Sequence, residues 1–234
     1  MYPRLVVDLK KLKGNLDACA KIVKEDGGCS LMIVTKGLCA DPEMARMVAA
    51  HPAVEFMADS RVANIKTYAA EARAKGKKTV LLRLPMACET AEVVKYVDIS
   101  FNSEISTIRL LNEEAGKIGV KHNILLMIDM GDLREGIFYQ NEDQIFSAVA
   151  EILTMPNINL YGVGVNLTCY GAIIPKQDNL GGLAGHRTQN RGAVRYQAER
   201  DFRRQLQFHL LDLERRSAGG YQQPQTRRIL PARQ

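Results

Sequence analysis

The sequence lacks several features that would point to particular classes of protein. No apolar run approaches the roughly 20 residues that a membrane-spanning helix needs, and residues 1–10 become charged too early for a signal peptide. A cytoplasmic protein is therefore expected. The five cysteines show no CxxC spacing, and the four histidines stand apart from one another. This pattern predicts reduced thiols, with neither a disulfide framework nor a metal site.

Excess basic charge is also missing from most of the chain, although the formal net charge is +6. Residues 1–185 carry 21 basic and 22 acidic side chains, whereas residues 186–234 carry 11 arginines, no lysine and four acidic side chains. The first part has no basic stripe with interleaved aromatic residues. Binding to nucleic acid is therefore not predicted.

The sequence does contain an alternation of short β-rich runs with longer amphipathic stretches. The pattern predicts an opening strand at 5–8 and six βα units, whose strands lie at 31–36, 54–58, 80–84, 97–101, 124–129 and 160–166. Helices are predicted at 9–24, 42–50, 60–75, 103–118 and 142–153. Such alternation is typical of the α/β class with a parallel sheet. A doubly wound sheet fits the pattern equally well, but no GxGxxG follows the first strand to support a dinucleotide fold.

Polar residues collect where the predicted strands end. In a (β/α)₈ barrel these positions converge on the face where active sites are built. The positions are Lys36, Asp59 and Ser60, Arg83, Asn102 and Ser103, residues 129–134, and residues 166–170.

Three of these residues are candidates for chemistry, and each has a plainer alternative. Lys36 ends an apolar strand beside a glycine, and a lysine desolvated there would form a Schiff base readily; it would otherwise simply reach solvent. Arg134 follows a glycine-containing turn that would aim it inward, or it pairs with a neighbouring acid. Asn166 opens a loop of polar residues that would bind a ligand or be an ordinary turn. His51 and His122 are interpreted as surface or capping residues.

Several short strings resemble the fold-type III pyridoxal-phosphate barrel, and within it the alanine/ornithine racemase family. VTKG resembles the family's cofactor-lysine motif, and DMGDLREG resembles the segment whose arginine contacts the phenolic oxygen of the cofactor. Further similar strings are LVVDLKKLKGNL, ADSR, LRLPM, SFNSE and NLTCYG. VTKG begins at position 34 and DMGDLREG at position 129. The other five strings, in the order given, begin at positions 5, 58, 82, 100 and 166.

The resemblance implies a fold, a cofactor and roles for the three candidates. It implies a (β/α)₈ TIM-type barrel that binds pyridoxal 5'-phosphate (PLP), with Lys36 as the Schiff-base and catalytic lysine. Arg134 and Asn166 would contact the cofactor, Asn166 standing where alanine racemases carry a histidine. The implied activity is racemisation of a free amino acid by removal of its α-proton. In the family, which is homodimeric, the second base is a tyrosine from the C-terminal β domain of the partner subunit, a domain that we expect this chain to lack.

The composition changes abruptly after residue 185, which suggests that residues 186–234 are read out of frame. A shift of one nucleotide allows residues 202–208 to be read as SGGNSSS, which resembles the phosphate-binding motif of the family's seventh strand. Residues 220–228 then become GINNLRLGE, which resembles the eighth strand. We therefore expect a partial barrel of about six of eight βα units at 1–185, followed by an atypical arginine- and glutamine-rich tail at 186–234 and impaired turnover. A genuine basic tail is the alternative.

Other functions remain open from the sequence. One is a non-catalytic PLP-binding protein on the same barrel, and another is an inactive product of a damaged gene. A decarboxylase on this barrel is a weaker alternative, because it too would need the second domain. The choice of amino acid cannot be read from these residues.

Overall fold

Parallel strands alternate with helices through residues 6–26 and 29–166, the part of the chain that this computed structural model describes. Most connections are short, as in βα repeats. The strands are β1 (Leu31–Val34), β2 (Val54–Asp59), β3 (Lys78–Leu81), β4 (Ile99–Asn102), β5 (His122–Asp129), β6 (Ile137–Phe138) and β7 (Ile158–Gly164). The helices are α1 (Leu9–Ala20), α2 (Pro42–Ala50), α3 (Val62–Ala74), α4 (Thr90–Tyr96), α5 (Ile105–Lys117) and α6 (Glu142–Thr154). A π-helical turn, Lys21–Asp26, extends α1, and 3₁₀ turns occur at Lys36–Leu38 and Ala87–Glu89.

The order of the strands in the sheet follows their order in the chain. Strands β1 to β5 lie side by side, and both β6 and β7 pair with β5. Every one of these pairings is parallel. A doubly wound sheet reverses its strand order at a switch point, and no reversal occurs from β1 to β5. The structure therefore confirms the α/β class and favours the barrel arrangement over the doubly wound alternative.

Local sequence explains where the early helices begin. The Asp8 carboxylate accepts a hydrogen bond from the Lys11 amide at 3.0 Å and caps α1. Asp41 caps α2 through the amides of Glu43 and Met44, and Pro42 occupies the first turn, where no backbone donor is needed. Both helices therefore begin at the residues that the sequence predicts.

Alternate residues of β5 pack into two separate apolar layers. The larger layer lies between sheet and helices and includes Ile124, Leu126 and Ile128 of β5. The smaller layer includes Leu125 and Met127 of the same strand and lies on the opposite face of the sheet. Burial on both faces is the reason that the strands read as continuous hydrophobic runs rather than as alternating ones.

Some expectations about individual elements are wrong. Residues 6–8 form no strand, and the Val6 side chain is 85% exposed. Helix α4 and strand β6 were not predicted, because each is too short to show a clear period. Within the described residues no helix is long and apolar enough to cross a membrane, and no group of three or more metal-ligating side chains occurs. The cytoplasmic location stays a prediction.

Candidate functional site

The described sheet places the predicted polar positions along its carboxyl edge, the edge at which all seven described strands end. Lys36 follows β1, Asp59 ends β2 and Asn102 ends β4. The loop after β5 carries Arg134, and Asn166 lies two residues beyond β7. Because the strands are parallel, these side chains share one edge, as the sequence predicts.

Lys36 opens the 3₁₀ turn that follows β1, and its side chain is exposed. The structure shows the second of the two alternatives for Lys36, a residue that reaches solvent, and its role with the cofactor stays a prediction. A Cβ built on Gly37 would meet no atom within 4 Å, so open space lies beside the lysine. Two non-glycine residues with left-handed backbone follow, Cys39 with φ 49° and Ala40 with φ 53°. Left-handed backbone in consecutive non-glycine residues is strained and occurs preferentially at functional sites.

Thr35 ties this turn to the end of β2. Its amide donates to the Ala58 carbonyl at 2.8 Å, and its hydroxyl lies 2.8 Å from Oδ2 of Asp59. Both side chains are buried, Asp59 completely. The second oxygen of Asp59 accepts hydrogen bonds from the Arg61 amide at 2.9 Å and from the Asn64 side chain at 3.1 Å. One buried carboxylate therefore holds together the ends of two strands and the start of α3.

The loop after β5 is bent by three residues with positive φ. These are Gly131 (105°), Leu133 (53°) and Gly136 (118°). A Cβ on Gly136 would lie 2.6 Å from the Asp129 amide nitrogen, so no side chain fits there. Oδ1 of Asp129 accepts the amides of Gly131 and Leu133 at 2.8 and 3.1 Å. The aspartate therefore stabilises the turn that presents Arg134.

The structure brings Arg134 and Asn166 together through Glu135. The Arg134 Nε atom lies 3.9 Å from Oε1 of Glu135, and the side-chain amide of Asn166 donates to the same oxygen. The Arg134 side chain keeps 22% of its surface exposed, and Asn166 is buried. Arg134 thus has the acidic neighbour that the alternative interpretation foresaw, and it shares that neighbour with Asn166. The rest of the polar loop that begins at Asn166 lies outside the described residues.

Two other residues at the carboxyl edge, Arg83 and Asn102, donate hydrogen bonds to nearby groups of the fold. The Arg83 guanidinium donates to the Ser60 and Leu84 carbonyls and, at 2.9 Å, to Oε2 of Glu89. Asn102 is completely buried, and its side-chain amide donates to the Ser100 carbonyl and hydroxyl at 3.0 and 2.9 Å. The bonds of Arg83 are therefore local, whereas Oδ1 of Asn102 is buried and has no hydrogen-bond partner.

Two carboxylates escaped the functional interpretation of the sequence. Glu135 was considered only as a salt-bridge partner, although its place between Arg134 and Gly136 puts it in the same turn. Asp132 is buried, and neither of its oxygens has a hydrogen-bond partner. Nothing in the sequence distinguishes Asp132 from an exposed turn residue. Burial within an irregular loop has no periodic signal.

Comparison of the sequence with known families and proteins gives one family match and two close relatives. The model of the family described as alanine racemase, N-terminal domain, matches residues 7–209. An ornithine racemase of Acetoanaerobium sticklandii is 43% identical over 185 residues, which cover 78% of this chain and 50% of the relative. A lysine racemase of Thermotoga maritima is 32% identical over 178 residues, which cover 76% and 48%. The chain therefore spans about half the length of these curated relatives.

Solved structures show the same fold. An alanine racemase of Clostridium difficile 630 superimposes with a TM-score of 0.61 at 18% identity, covering 86% of this chain and 48% of that one. PipY of Synechococcus elongatus PCC7942, solved with PLP bound, gives a TM-score of 0.57 at 15% identity, covering 84% and 83%. These likenesses confirm the expected barrel type, of which the described residues form a part.

Proposed function

The chain belongs to the family of the alanine racemase N-terminal domain, and from this premise we propose that it is the cofactor-bearing part of a PLP-dependent amino-acid racemase. The observation that carries the proposal is the exposed amine of Lys36 at the carboxyl end of β1. It stands in the VTKG string that resembles the family's cofactor-lysine motif. Covalent attachment of PLP requires an accessible primary amine, and Lys36 offers one at the edge where barrel enzymes build their sites.

The described residues fit the cofactor. The space beside Gly37 leaves room for a planar ring next to Lys36. The Arg134 side chain keeps 22% of its surface exposed, and the Asn166 amide lies against the same glutamate, Glu135. Both groups donate hydrogen bonds, as a phenolate or phosphate oxygen requires. The strings proposed to bind the phosphate lie in residues 186–234, outside the described residues.

In the proposed reaction, the cofactor, Lys36, Arg134 and Glu135 each have a separate role. When bound, PLP delocalises the negative charge left on an amino acid's α-carbon after loss of its proton. The Lys36 amine takes or returns that proton on one face of the substrate. Arg134 orients the cofactor by donating to its oxygen, and Glu135 holds the arginine in place. The base on the opposite face is not assigned to any described residue.

The substrate of the proposed reaction is a free amino acid. Two relatives are named for ornithine and lysine, and both amino acids carry an amine at the end of the side chain. We therefore propose that a basic amino acid is a better substrate than alanine, the other substrate that the sequence resemblance implies. Measuring racemisation of ornithine, lysine and alanine by the full gene product tests this order.

The domain organisation stays a prediction. The family match runs to residue 209, past the proposed boundary at residue 185, so it leaves open where the partial barrel ends. Resequencing the gene across the codons for residues 184–186 and beyond the stop codon tests the frame. An inserted or missing base followed by an open frame through SGGNSSS supports the shifted tail, whereas an intact frame contradicts it.

Absorption spectroscopy tests the proposed function. Addition of PLP should produce the visible band of the lysine-bound cofactor, and borohydride reduction followed by peptide mapping should place the pyridoxyl group on Lys36. Lys36→Ala should lose both signals. Lys75→Ala is the matched control, because Lys75 is equally an exposed lysine but follows the carboxyl end of α3. A band that persists unchanged in Lys36→Ala contradicts the proposal.

The non-catalytic PLP-binding alternative predicts the same spectrum. The two functions separate when the loaded protein is mixed with a single enantiomer of ornithine in deuterated water. A chain whose Lys36 removes the α-proton exchanges that hydrogen for deuterium, with inversion only where the opposite base is also present, whereas a binding protein leaves the α-hydrogen unchanged.

A further inference from the structure

The buried pair of Thr35 and Asp59 lies directly behind the proposed cofactor lysine. The Thr35 hydroxyl lies 2.8 Å from Oδ2 of Asp59 and 3.2 Å from the Ala58 carbonyl. A hydroxyl has one hydrogen to donate, and the shorter contact, to the carboxylate, is the stronger one. Tyr68 of α3 places its own hydroxyl 3.4 Å from that of Thr35, and burial raises the pKa of Tyr68 well above its usual range. Tyr68 is therefore a neutral neighbour of the pair.

The backbone of Thr35 in turn holds the lysine turn. Its carbonyl accepts hydrogen bonds from the Leu38 amide at 3.1 Å and from the Ala40 amide at 3.2 Å. The turn between these bonds contains Lys36, and it ends in the two left-handed residues Cys39 and Ala40. Strained backbone of this kind persists only where the surrounding structure fixes it. Thr35 fixes it through both its backbone and its side chain.

We propose that Asp59 and Thr35 are positioning residues that hold Lys36 in the geometry needed to receive the cofactor. The inference rests on the proposed function, and it adds residues to which the family resemblance gave no role. Neither side chain touches the cofactor. Each acts through the backbone of the turn, so that the exposed amine of Lys36 is presented in one orientation rather than many.

A second threonine–aspartate pair in the same sheet provides a matched control. Thr79 is completely buried, and its hydroxyl lies 2.9 Å from Oδ2 of Asp98, which also accepts the Thr79 amide at 2.7 Å. Thr79 lies near the beginning of β3 and Asp98 directly before β4, so this pair occupies the amino edge of the sheet. Both threonine hydroxyls are buried and bond to a carboxylate, although Asp98 is partly exposed and paired with Arg73 at 2.9 Å. Only the first pair adjoins Lys36.

The test compares Thr35→Val, Asp59→Asn, Thr35→Ser and Thr79→Val in the full chain. Three quantities are measured: the apparent Kd for PLP from the visible band, the fraction of pyridoxyl group at Lys36 after borohydride reduction, and the melting temperature without PLP. Thr35→Val and Asp59→Asn should each weaken PLP binding about tenfold or more and lower the yield at Lys36. Thr35→Ser, which keeps the hydroxyl, should stay within about twofold of the unchanged protein, and so should Thr79→Val.

Two outcomes of this experiment would refute the positioning role. If Thr35→Val and Asp59→Asn load Lys36 as well as the unchanged protein does, the positioning role is refuted, whatever happens to the melting temperature. Equal loss of PLP binding in Thr79→Val also refutes it, because the effect would then follow general destabilisation. If one of the two variants fails to fold, the other still decides. Failure of the unchanged protein to load PLP at Lys36 contradicts the proposed function itself, a result distinct from both others.

Discussion

His122 should make the stability of the fold depend on pH between 6.5 and 4. It is the first residue of β5 and is 3% exposed, and its Nε2 atom lies 2.8 Å from the Ser100 hydroxyl. Burial lowers the pKa of His122 from 6.5 to about 4, and the opposing effect of Asp98 is smaller. The native structure therefore holds this histidine neutral at pH values where the unfolded chain protonates it.

The direction and size of this change in stability follow from the difference in protons bound by the folded and unfolded states. Because the pKa is lower in the folded state, the contribution to stability is complete above pH 6.5 and is lost as the pH falls towards 4. Integration of the difference in bound protons gives a loss of about 2 kcal/mol between pH 7 and pH 5. This is a large share of the stability of an ordinary domain.

Urea denaturation followed by circular dichroism at pH 7, 6 and 5 measures the loss, and His122→Gln is the comparison. Glutamine does not titrate, and it can still bond to Ser100. The variant should therefore lose about 2 kcal/mol less than the unchanged protein over this range. The comparison also cancels the contribution of every titrating group that both proteins retain. Equal losses in the two proteins would refute the reasoning.

Two further substitutions test the loops at the carboxyl edge. Gly136→Ala should destabilise the fold by roughly 2–4 kcal/mol in urea denaturation, because its Cβ would lie 2.6 Å from the Asp129 amide nitrogen at a φ of 118°; an unchanged midpoint contradicts this geometry. Burial raises the pKa of the Glu89 carboxyl, but bonds from Arg83 and the Met86 amide outweigh it and the net pKa is lowered. Glu89→Gln should therefore cost about 1–3 kcal/mol at pH 7 and less in acid below the lowered pKa of Glu89, where the unchanged glutamate itself becomes protonated. The same loss at both pH values argues against a charged pair.

The sequence predicted the parts of the fold that repeat. Periodicity located α2 to the residue, because Asp41 and Pro42 mark its start and a single apolar stripe marks its length. Strand β5 was predicted from 124 to 129, two residues short of its start at His122. A histidine next to a strand end was interpreted as a surface or capping residue, and this was wrong for His122. His51, though buried, accepts a hydrogen bond from the Ala53 amide after α2 and so fits a capping role.

The failure at His122 has a physical cause. The loop before β7 covers the amino end of β5, and the His122 amide donates to the Asn157 carbonyl at 2.9 Å. This contact joins residues far apart in the chain, and no local pattern encodes it. The pairing of Arg134 with a neighbouring acid was one of the two alternatives read from the sequence, because that acid is local, whereas the link to Asn166 through Glu135 is not local. Contacts between residues close in the chain could therefore be predicted from the sequence, whereas contacts with residues of other strands could not.

The two threonine–aspartate pairs show why residue type alone does not identify the site. Thr35 with Asp59 and Thr79 with Asp98 have hydroxyl–carboxylate distances of 2.8 and 2.9 Å, and both threonines are buried. Their difference is topological, because one pair lies at the carboxyl edge of the parallel sheet and the other at the amino edge. Loops at the carboxyl edge build active sites in barrels, whereas residues at the amino edge serve stability. If loading of Lys36 depends on the first pair alone, strand direction has given two pairs of the same residue types different roles.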